Sequence, residues 1–179
     1  MMRPSSNDTL ERSLKMMIET DRLFLIPLTG AQLKSWIEDI PALEKELNCI
    51  YRAEPMEGVF LDIVKGQLKI LMKDESNYLY YSFWFLVRKS DRIVVGSADF
   101  KGRPNIDGEV EIGYGLGKEF EHNGYMTEAV KAMCRWVIKQ GHVSHVIAET
   151  DIDGIASQGI LERCGFKPYK HGDTLWWKL

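Results

Sequence analysis

The chain is 179 residues long, carries 26 acidic against 23 basic side chains for a net charge of −3, and is 45% apolar. This length suits one domain with a full hydrophobic core, and the charge balance offers no electrostatic case for nucleic acid as a partner. Three widely spaced cysteines, Cys49, Cys134 and Cys164, make neither a disulfide framework nor a paired zinc motif, which points to a reducing cytoplasm.

The opening run "MMRPSSNDTLERSLKMM" is polar and turn-rich. It lacks the basic end and apolar core of a signal peptide. Residues 1–17 read as a flexible tail or a short docking helix, and 18–179 as a single domain. "IETDRLFLIPL" predicts a first strand, where Leu23 and Leu25 alternate with Phe24 and Ile26 so that both faces are covered. "TGAQLKSWIEDI" predicts a helix with Leu33, Trp36 and Ile37 on one side. "PALEKELN" predicts a second, with Pro41 in its first turn. In "FLDIVKGQLKILMKD" a helical period is interrupted by Gly66. The most apolar run, "YLYYSFWFLV" from Tyr78 to Val87, is too short to span a bilayer as a helix, so no membrane segment is expected.

The middle of the chain turns to strand. "YSFWFLVRK" and "IVVGSADFK" flank the turn "SDR" as a hairpin, and "GEVEIGYGL" is a third strand. A helix follows from about Tyr125 to Lys139. Met126, Ala129, Val130, Met133 and Val137 form its inner face, while Thr127, Glu128, Lys131 and Arg135 form a face read as solvated. "HVIAETD" is a buried strand. "IASQGILERC" is a short helix closed by Gly165, with Phe166 packing back onto Leu161. "TLWWKL" is a last strand. Antiparallel strands followed by a β-α-β-α-β tail give an α/β or α+β fold, with one mixed sheet and helices on both faces.

The segment "EVEIGYGLGKEFEHNGYMTEAV" carries the most chemistry. Gly113, Gly115 and Gly117 punctuate the end of its strand, and glycine inside a strand marks a bulge or a close approach by another group. Gly124 opens the helix. A helix start carries unpaired N–H groups and the positive end of a dipole, so it suits an anion. Two phosphate motifs fail. A Walker loop requires Ser or Thr after Gly117-Lys118, where Glu119 stands. A dinucleotide fingerprint starting at Gly113 requires glycine at Lys118.

The same segment resembles motif A of the GNAT acetyltransferase superfamily, Arg/Gln-x-x-Gly-x-Gly/Ala after a strand and opening a helix, with "EHNGYMTEA" in that frame. "EIGYGL" is similar to the family's preceding strand and "ASQGILERCGF" to its later helix. "ETDRLFLIPL" resembles the opening strand of the ribosomal-protein alanine acetyltransferase branch. The likeness runs in order over about residues 18–179 and is thin between 30 and 75. It departs at Glu121, which takes the Arg/Gln position, and at Met126, which takes the Gly/Ala position. Gly154 stands where the branch has Asn, and Leu161 where the family often has a tyrosine acid.

The resemblance implies a mostly antiparallel twisted sheet and acetyl-CoA as co-substrate, held in a splayed gap between the "EIGYGL" and "HVIAETD" strands. Gly115, Leu116 and Gly117 would offer backbone groups to the pantetheine arm. His122, Asn123, Gly124, Tyr125 and Met126 would hold the pyrophosphate. The acceptor would be a primary amine, on a protein N-terminus or a small molecule. Such an amine is mostly protonated at neutral pH, so a base must take a proton. Glu111 is the first candidate and Glu109, on the same face, its rival; Ser157 would orient the thiol or the substrate. No Cys–His or Ser–His pair argues for an acyl-enzyme, so direct attack in a ternary complex is expected. The alternative is a non-catalytic acyl-CoA-binding sensor or interaction protein of the same fold. No metal, nucleic-acid or membrane partner is expected, and the chain is read as a monomer or homodimer. Simpler readings stand beside these: Glu109 and Glu111 as solvent-facing strand residues, Ser157 as helix capping, and His142 and His145 as surface histidines without a third ligand.

Overall fold

The structure, a computed structural model, describes residues 6–179. Alternation along the strands decides where the sheet lies. In β2 (Leu23–Pro27) and β4 (Phe83–Arg88), Leu23, Leu25, Trp84 and Leu86 point into one apolar core. Ile26, Phe83, Phe85 and Val87 point into a second core on the opposite face. A strand's side chains alternate with period 2, so one sheet divides two cores.

Besides these two, the sheet contains β1 (Ile18–Glu19), β3 (Ile50–Tyr51), β5 (Ile93–Phe100), β6 (Glu109–Leu116), β7 (His145–Asp151), β8 (Lys167–His171) and β9 (Thr174–Lys178). The order across it is β1-β2-β4-β5-β6-β7-β9-β8, with β3 added beside β5. The β3–β5 and β6–β7 pairs are parallel and the others antiparallel. Helices α5 (Tyr125–Ile138) and α6 (Ile155–Cys164) cover the first core. Helices α2 (Gly30–Glu38), α3 (Ile40–Leu47) and α4 (Gly58–Leu71) cover the second. The mixed, mostly antiparallel sheet with helices on both faces is the expected architecture.

Local chemistry sets the helix ends. Thr29 and Gln32 form a reciprocal capping box at the start of α2. Asp39 accepts from the Ala42 N–H at the start of α3, with Pro41 in the first turn. The Phe166 N–H returns to the Leu161 carbonyl past Gly165, whose φ is +94°, and both apolar side chains are buried as expected.

Two features differ from the sequence reading. β3 and β8 were not anticipated, and β1 stands apart from β2 within the stretch read as one strand; β1 and β3 have two residues each and carry no periodicity, while β8 reads KPYKH with no apolar alternation. β8 is exposed at every position and holds its place through the β9 ladder, with Pro168 and two lysines on a free sheet edge. Helix α4 runs unbroken through Gly66, where an added Cβ would meet open space. Ser6–Lys15 form helix α1, the short-helix alternative of the sequence reading. The buried Ser13 hydroxyl donates to Gln32 Oε1 at 2.5 Å, and the Arg12 guanidinium lies 4.4 Å from the Tyr78 ring centre. Among the described residues, no helix is long and apolar enough to cross a membrane.

Trp36 anchors the second core. Its ring meets Phe85 edge-on at 4.9 Å between centroids, with Phe83, Phe60 and Tyr51 around it at 5.4–5.8 Å. Trp36→Ala is expected to cost about 3–5 kcal/mol in chemical denaturation. A loss below about 1 kcal/mol would show that this aromatic cluster does not hold the face together.

Candidate active site

Strands β6 and β7 run side by side only at the start. Glu109, Val110 and Glu111 pair with His145, Val146 and Ile147, and there the ladder ends. Beyond it β6 stays with β5 as far as Leu116, while β7 stays with β9 as far as Asp151. The two strands therefore part from Ile112 onward. Backbone direction alternates along a strand. The Glu111 carbonyl accepts from the Lys101 backbone N–H and the Gly117 N–H donates to the Val95 carbonyl, so odd-numbered residues along β6 bond toward β5. The even-numbered residues, Ile112, Tyr114 and Leu116, turn their N–H and C=O groups toward the gap.

The loop after β6 reaches α5 through two residues in the left-handed region, His122 (φ +62°) and Gly124 (φ +77°). No side chain caps α5, so the N–H groups of its first turn stay available. A clamp fixes this corner. The Glu128 carboxylate accepts from the Thr20 hydroxyl at 2.6 Å, from the Arg22 N–H at 2.8 Å and from Arg22 Nε at 2.7 Å. Arg22 Nη1 also donates to the Asn123 carbonyl at 2.9 Å, and its guanidinium lies over the Tyr125 ring. Glu128, read as part of a solvated face, instead ties α5 to the β1–β2 turn. Burial alone would raise its pKa, but the hydrogen bonds from Thr20 and Arg22 outweigh that and leave it below the usual carboxylate value.

Two cavities meet at the gap. The first, of about 480 Å³, lies on the α5–α6 side and takes in Leu116, His122, Gly124, Tyr125, Met126 and Arg163. The second, of about 450 Å³, opens on the other face of β6, between β5 and α4. Tyr114, Gly115 and Ser157 line both. At this junction the Tyr114 hydroxyl lies 2.9 Å from Ser157 Oγ, within hydrogen-bond distance, and also donates to the Ser157 carbonyl. Burial pushes the Tyr114 phenol up to about 12, so it stays a neutral donor.

The glycines of β6 make room for carboxylates of the chain itself. A Cβ on Gly113 would lie 2.8 Å from Asp99 Oδ1, and one on Gly115 would lie 2.7 Å from Glu54 Oε2. Asp99 pairs directly opposite Gly113. It is 8% exposed and lines the second cavity. Burial raises its pKa to about 7, with Lys101 pulling down and Glu111 pushing up.

The sequence candidates divide accordingly. Leu116, His122, Gly124, Tyr125 and Met126 line the first cavity, and Gly115 and Ser157 line both. Gly117 and Asn123 line neither. The Gly117 N–H is committed to Val95, and the Asn123 side chain donates to the carbonyls of Phe120 and Glu121. Glu109 and Glu111 share the face of the second cavity without lining it. Glu109 is held by Lys178 at 2.5 Å and by Asn105 at 3.2 Å, which lowers its pKa. Glu111 is ion-paired with Lys101 at 2.5 Å. Glu121 is exposed at the lip of the first cavity, where solvent screens its charge, and Arg163 stands in the same groove. Where Gly154 offers no side chain, the Gln158 amide holds the loop by donating to the carbonyls of Asp151 and Ile152. Leu161 is fully buried in the first core. Asp99, Tyr114, Glu54 and Gln67 escaped the sequence reading; a lone acid inside "IVVGSADF" was the available signal for Asp99. Among the described residues, no His/Cys/Asp/Glu group is arranged to hold a metal.

Comparison with known proteins agrees with this geometry. The acetyltransferase (GNAT) domain family matches residues 19–167. The uncharacterized N-acetyltransferase YjdG of Bacillus subtilis is 31% identical over 166 residues, covering 87% of this chain and 96% of that protein. Among solved structures, the ribosomal-protein-S5-alanine acetyltransferase of Vibrio fischeri superposes with a TM-score of 0.63 at 16% identity, covering 92% of this chain and 96% of that one. The ribosomal L7/L12 alpha-N-protein acetyltransferase RimL, in complex with coenzyme A, does so at 0.64 and 14% identity, over 91% and 97%.

The clamp makes a measurable contribution. Glu128→Ala is expected to cost about 2 kcal/mol at pH 7, the range for hydrogen bonds to a charged group, seen as a melting point lower by about 4–8 °C. Because the folded-state pKa of Glu128 is depressed, this contribution is complete above the unfolded value. It is lost as pH falls through the folded one. The gap between wild type and variant should therefore close in melts run down to pH 3; a gap of constant size would mean the carboxylate charge is not what holds the corner.

Proposed function

Because the chain belongs to the GNAT acetyltransferase family, and is by class an N-acetyltransferase, we propose that it moves an acetyl group from acetyl-CoA to a primary amine by direct attack in a ternary complex. The observation that carries this reading is the pair of cavities on opposite faces of β6 that meet at Tyr114, Gly115 and Ser157. Two substrates entering from opposite sides would meet there without exchanging places.

The α5 side fits the coenzyme. His122, Gly124, Tyr125 and Met126 present a left-handed turn and an uncapped helix start, which suits a pyrophosphate. Asn123 serves indirectly, by tying the loop through its own amide. Leu116 turns its N–H into the gap, where it can bond the pantetheine arm or the oxyanion of the tetrahedral intermediate; Gly115 contributes bareness rather than a hydrogen bond. Ser157, held against the Tyr114 hydroxyl, orients the thiol and offers a proton to the departing thiolate. The other face fits a cation. Glu54, Asp99 and Glu149 line that cavity, with Glu111 and Glu109 beyond them on the same face of β6. This acidic field draws an ammonium in and favours transfer of its proton to a carboxylate, the role assigned from the sequence to Glu111 or Glu109.

Direct attack is favoured over an acyl-enzyme by two observations. None of the three cysteines lines either cavity, and burial raises the pKa of each. Ser157 has a phenol as its partner instead of a base. Unpaired thiols at Cys49, Cys134 and Cys164 suit the cytoplasm. The RimL structure with coenzyme A supports the choice of co-substrate.

Calorimetric titration with acetyl-CoA and coenzyme A should give a micromolar Kd, and thiol release from acetyl-CoA should depend on an added primary amine. Gly124→Val, which forces a β-branched residue to positive φ, should weaken coenzyme binding at least tenfold. Binding without acetylation of any amine would identify a non-catalytic acyl-CoA sensor. Absence of binding would remove the reading altogether.

A further inference from the structure

The second cavity holds two polar groups that the folded chain leaves unmet. The Asp99 carboxylate is more than nine-tenths buried and, among the described residues, receives no hydrogen bond. Gln67, from α4, is 9% exposed, and its side-chain N–H₂ has no partner. Both line the same cavity. A buried polar group without a partner costs free energy unless something meets it, so this cavity is built for a polar ligand. A carboxylate is satisfied by a cation that donates hydrogen bonds, and an ammonium is the smallest such group.

The neighbouring carboxylates are spoken for or placed elsewhere. Glu109 is held by Lys178 and Asn105; Glu111 is ion-paired with Lys101, and although its Oε1 is buried without a hydrogen bond it lies outside the cavity lining. Glu149 accepts from the Thr174 hydroxyl, and Glu54 is exposed, reaching over Gly115. Asp99 alone among these acids is buried in the cavity wall. The bare Cα of Gly113 opposite leaves its carboxylate a seat that any larger residue would invade.

Resting on the transferase reading above, we propose that Asp99 is the residue that binds the acceptor's ammonium and takes its proton, with Gln67 positioning the same substrate through its free amide. The ammonium enters and pairs with the Asp99 carboxylate. One N–H proton moves to Asp99, directly or through a water. The neutral nitrogen attacks the thioester carbonyl; the C–N bond forms and the C–S bond breaks. The second N–H proton goes to the departing thiolate through the Ser157–Tyr114 hydroxyls. Asp99 then releases its proton to solvent, so one amide, one thiol and one proton leave for each ammonium and thioester consumed. Glu111 and Lys101 act on Asp99 rather than on the substrate, as an opposed pair that sets its charge.

The groups facing Asp99 are Lys101, Glu111, Glu54 and Glu149. With Asp99 near 7, the carboxylate is neutral below that pH and cannot take a proton. Activity should therefore rise with pH through about 7. Glu111→Gln removes the charge that pushes Asp99 up and frees Lys101 to pull it down, so this limb should move to lower pH.

The test is kcat/KM against pH for wild type, Asp99→Asn and Glu111→Gln. Acceptors would be short peptides with free N-termini and spermidine, with coenzyme A binding measured in parallel by calorimetry. The expected result has three parts: a wild-type limb near pH 7, a limb lower by roughly one unit or less in Glu111→Gln, and a loss of about 10²–10⁴-fold in Asp99→Asn with coenzyme A bound as in wild type. Asp99→Asn active to within threefold, or an acid limb that stays in place in Glu111→Gln, overturns the assignment while the transferase reading stands. Failure of the wild type to bind coenzyme A overturns that reading instead, and the assignment with it. Should Asp99→Asn not fold, the shift in Glu111→Gln decides alone.

Discussion

The candidate site depends on one constraint, the parting of β6 from β7. A parallel ladder of three residue pairs ends at Glu111, and the next stretch of β6 keeps only its β5 side bonded. Backbone N–H and C=O groups in a protein interior need partners, so the edge at Ile112, Tyr114 and Leu116 asks for an extended, amide-bearing guest. The helices obey the same opening. Both α5 and α6 begin beside it, and both cavities end at it. The parting therefore explains why one strand gathers residues from α4, β4, β5, α5, β7 and α6.

Strand parity then sorts the chemistry. On β6 the even-numbered side chains belong to the apolar core under α5, and Tyr114 carries the one hydroxyl among them to Ser157. The odd-numbered positions are Glu109, Glu111, Gly113 and Gly115. They begin as two ion-paired acids and end as two bare positions on which acids from other elements rest. A shift of one residue in the register would bury the acids and expose Tyr114. The β5–β6 ladder and the glycines are thus one device, and the pairing of Asp99 with Gly113 is its most demanding point.

Much of this was legible in the sequence because it rests on period and punctuation. The hairpin of β4 and β5, the amphipathic α5 and the Gly165–Phe166 stop each express a repeat or a backbone preference. The helix start at Gly124 was legible for the same reason. What escaped rests on distance across the fold. Glu128 lies at the right spacing for a solvated face, and only the approach of Arg22 and Thr20, more than a hundred residues earlier, turns it inward. Gly113 and Gly115 correctly signalled a close approach, but composition does not tell whether a ligand or a side chain approaches. Asp99 was hidden by its neighbours: in an apolar strand a lone acid reads as an edge or a turn until its partner strand is known. Glu111 stood out in sequence as the acid just before the glycines of β6, and its ion pair with Lys101 is visible only in three dimensions.

The two cores lie on opposite faces of the sheet, joined outside it at Leu79, which packs against both. Wall-like, the sheet keeps the packing under α5 and α6 apart from the packing under α2, α3 and α4. Local opening follows local packing, and the half-shell carrying α4 has its own apolar packing, with Val59 and Ile63 exposed at the cavity rim. Packing on one face of such a sheet can be rebuilt with little effect on distant contacts across it, because substitutions far apart with no shared partners act nearly independently.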